Sequence, residues 1–97
     1  MLHTIYKNIM IINIKELKNK IIYRSNYRGT KEMDKLLGSF TKMYINQLAD
    51  DELPLLCDLL DLDDENLYKL NQGLEITIEV EANKVTELFK KYVFVCE

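Results

Sequence analysis

Apolar residues recur along this chain at three-four spacing, and that spacing marks out its helices. Ile14, Leu17, Ile21 and Ile22 fall on one side of a helix with Lys15, Lys18 and Lys20 opposite. Ser25-Asn26 and the following Gly29 supply breaker chemistry, so this first predicted helix closes before Gly29. A second is predicted from about Thr30 to Ile45, with Met33, Leu36, Leu37, Phe40 and Tyr44 on the buried stripe. Glu32 and Asp34 occupy its first turn, where negative charge meets the positive end of the helix dipole. Gly38 sits inside this helix at a cost of roughly 1 kcal/mol against Ala, more easily borne if another helix crosses closely there.

Asp50-Asp51-Glu52-Leu53-Pro54 reads as a helix start: acids crowd the first turn, and proline is tolerated where amides have no intrahelical acceptor. Leu56, Leu59 and Leu60 then face the core. A second acidic run, Asp63-Asp64-Glu65, opens a short fourth helix with Leu67, Tyr68 and Leu70, closed near Gly73. Leu74 to Glu81 alternate apolar and polar in period two. A lone strand needs a partner, and an extended connector laid over the core is the preferred reading. Val85, Leu88, Phe89, Tyr92, Val93 and Cys96 form the stripe of a fifth helix.

With 97 residues there is room for one core. Three glycines and one proline are too few for the turns of a sandwich or barrel. The expectation is an all-α fold, a compact five-helix bundle of short helices. Residues 14–96 form the single helical domain, after an N-terminal extension over 1–13 that is expected to be mobile.

Charge is uneven. Residues 1–31 hold seven Lys/Arg and one acid, while residues 32–97 hold six Lys/Arg and fifteen acids. The basic charges are scattered singly and the remainder repels phosphate, so no nucleic-acid partner is expected; a helix-turn-helix reading of the basic first helix ranks low. Apolar runs such as Ile9 to Ile12 fall far short of the roughly 20 residues a membrane span needs, and direct membrane insertion is not expected. The first thirteen residues fit neither a secretory signal nor a transit peptide, which makes a cytoplasmic location the expectation.

Candidates for chemistry are few. The single histidine, His3, lies in the extension with no acid positioned nearby, so no catalytic triad can be assembled. The carboxylate pairs Asp50-Asp51 and Asp63-Asp64 are explained by helix capping. Cys57 and Cys96 have no ligand-spaced neighbours; a metal site and a disulfide are both unexpected, and both thiols read as small buried hydrophobes. No phosphate-binding glycine pattern is present. Tyr44, Tyr68 and Tyr92 fall on or beside core stripes, leaving Tyr23 and Tyr27 as exposed aromatics.

What remains is the corner between the first two helices: Arg24, Tyr27, Arg28, Gly29, Glu32 and Asp34. Each has a structural reading, since the arginines complement a helix carboxyl end, the glycine makes the turn and the acids complement the next amino end. The functional reading is a partner-binding surface, with a guanidinium and a carboxylate flanking backbone that a partner can approach closely.

The run Arg28-Gly29-Thr30-Lys31-Glu32-Met33-Asp34 matches the RGxxExD signature of the SdhE/YgfY family, bacterial relatives of mitochondrial succinate dehydrogenase assembly factor 2. Tyr23-Arg24-Ser25 resembles the family's lead-in, and Leu36-Leu37-Gly38-Ser39-Phe40 its LLGxF segment. Asp50-Asp51-Glu52 and Asp63-Asp64 through Leu67-Tyr68 follow at family spacing. The resemblance covers about residues 14 to 72, with the fifth helix weaker. Tyr27 stands where the family usually has another arginine, Leu70 where it has a tryptophan, and Glu65 replaces a common proline.

The resemblance implies a five-helix assembly chaperone without catalytic residues of its own. Such a factor binds the flavoprotein subunit of succinate dehydrogenase or fumarate reductase and promotes covalent attachment of FAD to a histidine there. It implies no stably bound cofactor and a monomer. The family's motif role passes to Arg28, Gly29 and Glu32, with Arg28 and Glu32 expected to make charged contacts and Gly29 to permit close approach. An antitoxin-like role, or another protein-interaction role on the same fold, is the alternative the resemblance leaves open.

Overall fold

Every stretch with three-four apolar spacing is helical along most of its length. The computed structural model describes residues 2–94, with side chains from residue 13 onward. The expectations for the His3 side chain and for Cys96 lie outside the described residues. Among the described residues are five α-helices and no strand: α1 over Leu2–Asn26, α2 over Lys31–Tyr44, α3 over Leu53–Leu60, α4 over Asp64–Gln72 and α5 over Lys84–Lys91. The first helix therefore starts at Leu2, ahead of the Ile14 from which its periodicity is readable.

The second helix puts its apolar stripe into the core. Thr30, in extended conformation, accepts the N–H of Met33 through its side chain, satisfying one of the amides a helix start leaves free. Met33, Leu36, Leu37 and Phe40 are then buried, as the stripe predicts. They pack with Ile21 of α1, Leu53, Leu56, Leu59 and Leu60 of α3, Leu67 and Leu70 of α4, and Val85 and Phe89 of α5. The Phe40 ring lies 5.0 Å from Tyr44, 5.1 Å from Phe89 and 5.3 Å from Tyr92, the last two edge-on, an arrangement favoured by the aromatic quadrupole.

α1 crosses α2 at Gly38. A Cβ built there would meet Asn26 Oδ1 at 2.5 Å, so the close helix approach expected of this glycine is present. One turn further on, the buried Ser25 Oγ donates its one proton to the Ile21 carbonyl at 2.6 Å and accepts from Thr41 Oγ1 at 2.6 Å. Ser25 thus belongs to the interface rather than to a helix-breaking loop. Ile22, expected on the core stripe, is exposed; the inward line runs Ile14, Leu17, Ile21, Ser25, and Ile22 lies one residue off it.

α3 is entered through a 3₁₀ turn over Asp50–Glu52, with Pro54 in the helix's first turn. α4 ends at Gly73, whose φ of 70° is the left-handed conformation glycine adopts at helix carboxyl ends. Residues 74–83 are a connector without regular secondary structure, bent at residues 77–78; Ile76 and Val80 pack on the core while Ile78 faces solvent, so the period-two alternation is not kept.

The fifth helix departs from its predicted length. Asn83 caps it through the N–H of Thr86 at 2.9 Å, and it stops at Lys91 instead of running on to Cys96. The Asn71 side-chain amide donates to the carbonyls of Phe89 (2.9 Å) and Tyr92 (2.8 Å), taking acceptors a continuing helix would have used. Tyr92 then turns into the aromatic cluster and Val93 is 77% exposed.

Candidate functional site

The corner between α1 and α2 is organised by two charged side chains that face into the protein. Arg28 follows the end of α1, and its side chain is only 12% exposed. Its Nη1 donates to the Leu60 carbonyl and its Nη2 to the Leu62 carbonyl, each at 2.8 Å, while Nε donates to Asp64 Oδ1 at 2.9 Å. α3 ends at Leu60, so the Leu60 carbonyl is one that a helix terminus leaves without an intrahelical partner, and that of Leu62 lies in the connection to α4. The planar fork of a guanidinium meets both carbonyls and a carboxylate at once.

The second inward group is Asp34, in the first turn of α2. Its Oδ1 accepts the backbone N–H groups of both Arg28 and Gly29. A carboxylate six residues downstream thereby shapes the loop that presents Gly29. Gly29 itself has φ 120°, a backbone conformation that L side chains rarely adopt. Nothing lies within 4 Å of a Cβ built on it. Its identity is set by backbone conformation, and the space above it is open to solvent.

Arg24, one helical turn before Arg28, makes a parallel tie. Its Nη2 donates to Asp61 Oδ1 at 2.6 Å, with both side chains substantially exposed. The two arginines therefore complement the carboxyl end of α3 across the bundle. On the neighbouring face of α1, Tyr23 and Tyr27 are 66% and 69% exposed, with ring centroids 4.7 Å apart.

Glu32, on the exposed side of α2, forms no ion pair or hydrogen bond among the described residues. The six corner residues thus divide. Arg28 and Asp34 are committed to intramolecular bonds, Arg24 shares its charge with Asp61, and Tyr27, Gly29 and Glu32 face outward. Arg28 spends three of its five N–H donors on Leu60, Leu62 and Asp64, which fixes its guanidinium at the corner.

Residues missed by sequence reading complete the corner. Asp64 reads as part of a capping run and Asp61 carries no reading from sequence, yet both receive an arginine from α1 or the loop after it. The freed carbonyls at the end of α3 were the available signal. Asp63 precedes α4 in extended conformation without a side-chain capping bond. Glu65 instead pairs with Lys69 at 3.1 Å, one turn along α4.

Two groups elsewhere have shifted acidities. The Glu52 carboxyl is held below its ordinary range by the Ala49 N–H at 2.7 Å and by Lys84 at 3.0 Å. The half-buried Cys57 thiol is pushed up mainly by burial, with Arg24 pulling the other way. Among the described residues no cluster of His, Cys, Asp or Glu could hold a metal ion, and no helix is long and apolar enough to cross a membrane.

Comparison with known proteins gives one family. A family model described as flavinator of succinate dehydrogenase matches residues 19–93, which takes in the whole corner and helices α2 to α5. No curated protein and no solved structure matches the chain.

Proposed function

Since the chain belongs to the family of flavinators of succinate dehydrogenase, we propose that it is an assembly chaperone for covalent flavoprotein subunits. It binds the flavoprotein subunit of succinate dehydrogenase or fumarate reductase and promotes attachment of FAD to that client. The observation that supports this reading is the matched segment with its outward corner: open backbone at Gly29 and, at Glu32, a carboxylate unpaired among the described residues.

The division of labour follows from the geometry. Arg28 and Asp34 hold the loop in one shape, so Gly29 and Glu32 are presented without a further ordering cost on binding. Gly29 admits client backbone at close range, Glu32 takes a basic group of the client, and Tyr27 with Tyr23 gives aromatic area beside them. The bond-forming groups belong to the client and its flavin. The chaperone acts by favouring the client arrangement in which flavin and acceptor side chain meet, which raises their effective concentration without a catalytic residue of its own.

Co-expression of a candidate flavoprotein subunit with and without this chain tests the reading. Protein-bound flavin fluorescence on a denaturing gel is expected to rise severalfold when the chain is present. Equal fluorescence in both cultures would contradict it.

A further inference from the structure

Beside the corner, the surface sinks into a groove of about 460 Å³ between the start of α2, α4 and residues 92–94. Its floor is the buried pair Met33 and Leu36, and its walls include Tyr68, 51% exposed, and Val93. Residues 92–94 are extended, so their side chains alternate: Tyr92 enters the aromatic cluster, Val93 points out and Phe94 is half-buried. That alternation leaves Val93 uncovered at the groove.

Two charged residues line the groove: Lys90, which lies 3.4 Å from Glu87, and Glu32, which has no ion pair among the described residues. An occupant therefore meets an exposed carboxylate available for pairing beside an apolar trough. The groove also shares Glu32 with the docking corner, so a segment that engages Glu32 is led directly onto Tyr68 and Val93.

We infer that this groove holds an extended segment of the client flavoprotein subunit, with a lysine or arginine against Glu32 and an adjacent apolar side chain between Tyr68 and Val93. This rests on the assembly reading and deepens it, since it names the chemistry of the client segment. Tyr68 and Val93 are then binding residues that lie outside the corner motif.

The test is the affinity of the purified chain for the client subunit, by calorimetry, with Val93→Ser and Tyr68→Ala. Val93 is too exposed for its replacement to threaten the fold, and circular dichroism checks the tyrosine variant. Each substitution is expected to weaken binding about fivefold or more, the usual mark of an energetically important interface side chain. Wild-type affinity in both variants overturns the groove and leaves the assembly reading intact. No client binding by the wild-type chain overturns both. A photo-crosslinking residue at position 93 is expected to join a client peptide containing a basic residue; a peptide without one, or a second copy of this chain, overturns the inference.

Discussion

Arg28 and Asp64 are joined at 2.9 Å across a sequence separation of 36 residues, and the same guanidinium closes on two carbonyls, one at the end of α3 and one just after it. One side chain thus ties the loop after α1 to the α3–α4 corner. The consequence is a rigid frame under Gly29 and Glu32.

Arg28→Ala is expected to destabilise the protein by about 2 kcal/mol, through lost charge-assisted hydrogen bonds and stranded carbonyls. Arg28→Lys recovers only part of this, because one ammonium cannot span three acceptors held in a fork. Urea unfolding midpoints measure both; a wild-type midpoint for the alanine variant would contradict the brace.

Gly29 and Gly73 form a matched pair. Both have positive φ and open space where a Cβ would sit; alanine at Gly73, in the left-handed helical region, is expected to cost about 1–2 kcal/mol, and at Gly29, whose φ of 120° lies outside that region, up to about 3 kcal/mol. Only Gly29→Ala is expected also to weaken client binding, since only there does a partner approach the backbone. Stability by urea melt and affinity by calorimetry separate the two effects.

The Glu52 carboxyl, depressed first by the Ala49 N–H and then by Lys84, sets a pH dependence. Its contribution is present above the ordinary carboxylate range and is lost as pH falls through the lower folded-state value. Glu52→Gln is therefore expected to have a lower urea midpoint than wild type at pH 7, with the gap narrowing as pH falls below the ordinary carboxylate range. A gap that persists in acid would place the cause elsewhere.

Burial raises the Cys57 thiol, so less of it is thiolate at neutral pH. In a Cys96→Ser background, alkylation of Cys57 at about pH 8, near an unperturbed thiol's titration range, is expected to be slower than that of a free cysteine peptide. Unfolding in urea should restore the peptide rate.

The parts of this fold legible in the sequence are those a single period encodes. Met33, Leu36, Leu37 and Phe40 announce α2, and Thr30 with Glu32 and Asp34 announces its start. The period-two run around Ile76 and Val80 does not survive in the fold, because the bend at residues 77–78 turns Ile78 outward, and a period cannot report a bend or a missing strand partner. α5 ends early because Asn71, on another helix, takes the carbonyls of Phe89 and Tyr92. At the corner, the residue types of Tyr27, Gly29 and Glu32 suffice to place them at a turn with exposed flanks. The inward aim of Arg28 was not readable, because its acceptors are backbone oxygens near the end of a helix more than thirty residues away.

The central claim is that an outward Glu32, set on an arginine-braced loop, engages a flavoprotein client. The most direct measurement is the covalent flavin per client polypeptide, by intact mass, after co-expression with wild type or Glu32→Ala. The account expects the variant to fold, with a urea midpoint lowered only by the loss of one helix-dipole charge, about 0.3–1 kcal/mol, while client flavinylation falls about tenfold, the loss from one charge-assisted contact. Full flavinylation by a folded Glu32→Ala chain would contradict it.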